Sequence, residues 1–135
     1  MTVSLYAALL GFMLIALSIN TVIKRRTFRV GLGDGENMGM TRCMRAHGNF
    51  TEYTPIFLIL LILNEMMGLA PLWLHVFGVT FMAGRLMHAY SLLKAEIYEG
   101  DRLTAMPVWR IRGMIVTYGC IGVLGSVLLV KHFIL

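Results

Sequence analysis

Acidic residues are scarce in this sequence. Seven Asp and Glu stand against twelve Lys and Arg in 135 residues, and charge of both signs reaches only 14%. With 58% hydrophobic residues, the chain is too apolar for an ordinary soluble domain. Two long stretches, 3–23 and 113–130, carry no charge at all. Such continuous runs fit helices better than a membrane barrel, whose strands alternate over about 10 residues. Cysteine is nearly absent: Cys43 and Cys120 form no disulfide or thiolate-metal pattern and read as small packing residues inside helices. The four histidines (His47, His75, His88 and His132) are too scattered for a zinc set. No basic segment precedes the first apolar run, so it reads as a retained helix rather than a cleaved leader. Internal repeats and a serine–histidine–acid arrangement are also lacking.

What is present is four apolar segments, and the expected fold is an all-α integral-membrane four-helix bundle. A single domain over 1–135 is expected, with helices at about 3–23, 41–67, 69–93 and 108–131. A net charge of +5 would suggest nucleic acid in a soluble protein, but here the basic residues fall in two loops. Lys24, Arg25, Arg26, Arg29, Arg42 and Arg45 follow helix one; Lys94, Arg102, Arg110 and Arg112 lie between helices three and four. The positive-inside rule then puts both termini outside and both basic loops in the cytoplasm. No aromatic-interleaved basic patch of the kind that binds single strands accompanies them. The glycines at 31, 33, 35 and 39 break the helix, but the loop lacks the Gly-Lys-Ser/Thr ending of a phosphate cradle. Pro55 falls inside helix two and frees the carbonyl of Thr51. Gly119, Gly122, Gly125 and Ser126 expose backbone on helix four for close contact, within the chain or between subunits.

The chemistry concentrates where helix two enters the membrane. Arg42, Arg45, Asn49 and Glu52 recur at spacings of three, four and three, which places them on one helix face. Ionisable groups at that depth are expensive and face other helices or a wet cavity. Helix three adds Arg85 and His88, with Glu96 and Glu99 further along, and helix four opens with Arg110 and Arg112. Glu52, Glu65 and Glu96 neutralise only part of this cationic cluster. The surplus points to an acidic small molecule whose carboxylates arginine grips in bidentate fashion. Structural readings stand beside this one. Arg42 also fits a side chain snorkelling to lipid phosphates. Arg45 and Glu52 also fit ion pairs to neighbouring helices, and Arg85 an ion pair to Glu52. His47, on the other side of helix two, fits a headgroup or structural contact. Lys24, Arg25, Arg26 and Arg29 fit topological determinants.

The block Arg42-x-x-Arg45-Ala46-His47-x-Asn49-x-x-Glu52, followed by Pro55, resembles the signature of the membrane-associated proteins in eicosanoid and glutathione metabolism, the MAPEG family. Gly84-Arg85-x-x-His88 and Arg112 extend the resemblance over essentially the whole chain. Gly48, Phe50 and the Gly33-Asp34-Gly35 loop are similar to the small bacterial members, which implies a bacterial inner membrane. The resemblance implies a homotrimer with glutathione as co-substrate between adjacent subunits, near the cytoplasmic surface. Arg45, Asn49 and Glu52 would then hold its carboxylates and amino group, with Arg42, Arg85 and His88 in the same pocket. Arg112 would sit by the sulfur and favour its thiolate, because a nearby cation lowers a thiol pKa. The implied reaction is thiol addition to a lipophilic electrophile, or reduction of a lipid hydroperoxide. Departures are visible too. Gly48 stands where better-studied members have arginine, Leu92 where a prostaglandin-forming member has tyrosine, and Gly113 where serine is usual. Prostaglandin or leukotriene synthesis is therefore not expected. A rival reading keeps the fold and a small-anion or thiol pocket without turnover. Another rival, a small multidrug transporter, would want an acidic residue in helix one, and 3–23 has none.

Overall fold

The computed structural model describes residues 1–100 and 102–134. Four long helices dominate: α1 (Val3–Phe28), α2 (Met38–Met66), α3 (Pro71–Tyr90) and α4 (Val108–Ile134). α3 runs on into a π-helical turn, Ser91–Ala95, and a short antiparallel pair follows, β1 (Tyr98–Glu99) with β2 (Arg102–Leu103). α1 and α4 are each long and apolar enough to cross a membrane on length and composition alone. α2 and α3 break their apolar runs with the ionisable residues that matter below.

The helix ends differ from the sequence expectation, for local reasons. α1 extends through Lys24–Arg26, which are good helix formers, and stops where Arg29 turns left-handed (φ 56°). At its other end no side chain of its own caps it. Instead the Glu65 carboxylate of α2 accepts from the Thr2 and Val3 amides, placing an anion at a helix N-terminus. α2 starts at Met38 because Asn37 Oδ1 accepts the Met40 amide at 3.0 Å. At about 1.5 Å per residue its 29 residues reach beyond the roughly 30 Å of hydrocarbon.

The interior is packed between helices. Phe57 and Phe81 stack with centroids 3.7 Å apart, and Leu10, Leu61, Leu74 and Leu124 are buried around them. Tyr6 lies over Gly78 and puts its hydroxyl 2.8 Å from His75 Nδ1, so His75 has a structural partner that its sequence position did not suggest. The closest helix approach is α3 on α4. A Cβ added to Gly113 would sit 2.6 Å from the Gly84 carbonyl oxygen and 2.9 Å from the His88 amide nitrogen. By contrast Gly119, Gly122 and Gly125 have open space on their side of α4. Their exposed backbone is not used for packing within the chain.

One polar knot fixes the end of α3 to the start of α4. Glu96 is buried; its Oε1 accepts from Ser91 Oγ at 2.8 Å and its Oε2 from the Tyr98 hydroxyl at 2.6 Å. Arg110 Nη1 lies 3.2 Å from the same Oε2. Burial and this hydrogen bond raise the Tyr98 pKa above its ordinary 10.0, so its neutral form is favoured by folding. The knot should therefore lose stability as pH rises past 10.0, where the unfolded tyrosine ionises first. Glu96→Ala should cost roughly 1.5–3 kcal/mol, the range for hydrogen bonds to a charged group, in a denaturation experiment on the detergent-solubilised protein. Wild-type stability would mean that the knot holds nothing.

Candidate functional site

The site is built around Arg85, which is 2% exposed although it carries a full charge. Its Nη1 donates to Asn49 Oδ1 at 2.6 Å, and its Nη2 donates to the Gly113 carbonyl at 3.3 Å and to Thr117 Oγ1. The rings of Tyr53 and Phe81 cover the guanidinium at 5.5 and 5.7 Å. Every one of these partners is neutral, and Nε has no partner among the described residues. Buried arginine is ordinarily matched by a carboxylate. The ion pair to Glu52 that the sequence allowed is not formed, because Glu52 lies on the exposed side of α2 and Asn49 points in. The glycine pair at the α3–α4 crossing is what brings the Gly113 carbonyl within reach.

The face of α2 expected to act as a unit is divided. Asn49 is buried against Arg85. Arg45 and Glu52 lie on the outer surface, 63% and 52% exposed, with their charged atoms 4.0 Å apart. Arg42 turns toward the end of α3, where Nε and Nη2 donate to the Leu92 and Glu96 carbonyls at 2.6 and 3.0 Å. The guanidinium also lies over the Tyr98 ring. The π-helical turn leaves those carbonyls without helical partners, and Arg42 satisfies them. His88 is buried one turn beyond Arg85, its backbone pressed against Gly113. Arg112 is exposed at the start of α4, with Trp109 beneath it at 5.9 Å. His47 bonds Ser18 of α1 at 3.0 Å, on the far side of α2 from this cluster.

Sequence reasoning missed Thr117, whose signal is faint: one hydroxyl in an uncharged run, four residues after Gly113. It also missed the Tyr53–Tyr118 contact, with hydroxyls 3.2 Å apart. Tyr118 links the polar cluster to a recess of about 560 Å³ along α4, lined by Gly119, Gly122, Val123 and Ser126 among others. A cationic polar patch and an apolar groove thus share an edge.

Residues 3–130 match the family model described as MAPEG family. Inner membrane protein YecN of Escherichia coli (strain K12) is 39% identical over 91 residues, which is 67% of this chain and 70% of that protein. The protein of the same name from Escherichia coli O6:H1 matches to the same extent.

Proposed function

Because this chain belongs to the MAPEG family, we propose that it is a glutathione-dependent membrane transferase or peroxidase, working as a homotrimer on lipophilic electrophiles or hydroperoxides. The observation that carries this reading is Arg85: a buried cation with neutral partners only, beside two further arginines that open outward. The missing negative charge is supplied by the ligand. Arg45 and Glu52 are too costly to leave against lipid, so a sister chain covers them and the ligand lies in the seam.

In this arrangement Arg45 and Arg85 hold carboxylates of the tripeptide, while Glu52 takes its ammonium group. Asn49 orients Arg85, and His88 closes the pocket from α3. Arg42 acts at one remove by fixing the end of α3, with one guanidinium nitrogen left for the ligand. Arg112 stands at the sulfur and stabilises the thiolate, the nucleophilic form. The thiolate then displaces a leaving group from carbon, or attacks the O–O bond of a hydroperoxide held in the groove along α4. For the peroxide, a second glutathione resolves the oxidised sulfur as disulfide, releasing water and the alcohol. The protein resides in a bacterial inner membrane with both termini outside and the two basic loops cytoplasmic; the relative named as an inner membrane protein supports the location, and the charge distribution supports the orientation.

The test pairs turnover with thiolate formation. Wild-type protein should conjugate glutathione to a chlorinated nitrobenzene and show thiolate absorbance on adding glutathione. Arg112→Ala should lose both while keeping its oligomeric mass. Unchanged thiolate absorbance in the variant would refute the role of Arg112, and binding without product in the wild type would leave a binding protein rather than an enzyme.

A further inference from the structure

The basic run after the first span has no part in the site above, yet it is organised. Phe12, Ile15, Ile19, Val22 and Arg26 recur at spacings of three and four, so they form one stripe along α1, and Arg29 follows them as the residue that ends the helix. All six are exposed. At the stripe's basic end, Arg29 is left-handed and its amide bonds the Arg26 carbonyl at 3.3 Å, while the Val30 amide bonds the Arg25 carbonyl at 3.0 Å. This reversal folds Val30 and Gly31 back beside the helix and shapes a recess of about 390 Å³ with Val22, Arg25, Arg26 and Arg29. Arg25 is engaged, donating to the Gly33 carbonyl at 3.0 Å. No carboxylate pairs with Arg26 or Arg29 among the described residues, whose ion pairs are Arg45–Glu52 and Arg110–Glu96.

We propose that this stripe and recess bind one anionic phospholipid, its phosphate between Arg26 and Arg29 and an acyl chain along Val22, Ile19, Ile15 and Phe12. Length argues for a lipid rather than a free anion. From Val22 to Phe12 the helix rises about 15 Å, which is half of the roughly 30 Å hydrocarbon layer, the depth of one leaflet. Charge argues for an anionic headgroup: two guanidiniums with no carboxylate within 4.0 Å among the described residues attract a phosphate, and they repel the ammonium that a zwitterionic headgroup adds. The proposal is independent of the transferase reading.

Native mass spectrometry of the full chain, solubilised in detergent and mixed with dioleoyl phosphatidylglycerol or dioleoyl phosphatidylcholine, tests it. The phosphatidylglycerol should be retained selectively. Each basic residue near an anionic lipid contributes a factor of about five, so Arg26→Gln with Arg29→Gln should weaken retention about 30-fold. The double lysine variant should keep most of it, and glutathione binding should not change in either. Equal retention of the two lipids, or of phosphatidylglycerol by the glutamine variant, would overturn the proposal. So would displacement of the lipid by an equal concentration of inorganic phosphate, which would mark a site for free anions. Loss of oligomeric mass in the glutamine variant without loss of lipid would assign the stripe to a sister chain instead.

Discussion

Arg85→Met should leave the bundle folded, with little change in thermal stability, and remove glutathione binding. The two halves of this result have different physical sources. A buried charge costs desolvation, and replacing it with an apolar side chain of similar volume is often neutral or stabilising. Here the gain is offset by Asn49 and Thr117, which lose a donor and together cost a few kcal/mol at most. Binding has no such compensation. Truncating one member of a buried charge pair costs about 2–5 kcal/mol, or roughly 30- to 5000-fold in affinity. A calorimetric titration beside a thermal melt reads both quantities. If the variant melts far below wild type while the remaining folded protein binds normally, Arg85 is a structural residue and the ligand's anion lies elsewhere.

Gly113→Ser should cost about 3 kcal/mol or more, the upper end for overpacking. The new Cβ meets two backbone atoms, the Gly84 oxygen and the His88 nitrogen, and neither can swing aside as a side chain would. α3 and α4 must part. Parting them also lengthens the 3.3 Å bond from Arg85 to the Gly113 carbonyl and shifts His88, so ligand binding should weaken together with stability. Gly122→Ala is the control, because its Cβ would enter open space within the protomer. Denaturation of both variants checks the contrast. A serine variant as stable as wild type would mean that the helices cross more loosely than this. A serine at position 113 is thus excluded here by contact rather than by chemistry.

The first and last helices were legible because their apolar runs are long and uncharged, the middle two because turn signals bound apolar stretches interrupted by few charges, and the family was legible because its motif is a compact block on one helix. Helix ends were harder. Nothing in the run Lys24–Arg26 forbids helix, so α1 continues past its apolar stretch until Arg29 turns left-handed. The site was legible in residue types but less so in arrangement. Spacing places Arg42, Arg45, Asn49 and Glu52 on one face, but that face is wide enough for its members to meet the loop, the outside and the interior separately. That Arg85 bonds Asn49 of α2 and the Gly113 carbonyl of α4 depends on how α3 sits between the two helices, and on the α4 side that seating is made at the Gly84–Gly113 contact. Such a contact joins residues far apart in the chain, and no local pattern encodes it.

In the proposed function, an acidic tripeptide completes a cationic seam between sister chains. Titrating glutathione into the detergent-solubilised wild-type protein, with the mass of the complex measured on the same sample, tests this most directly. Saturable binding by a three-chain complex is the expected result. No saturable heat, or binding by a single chain, would contradict it.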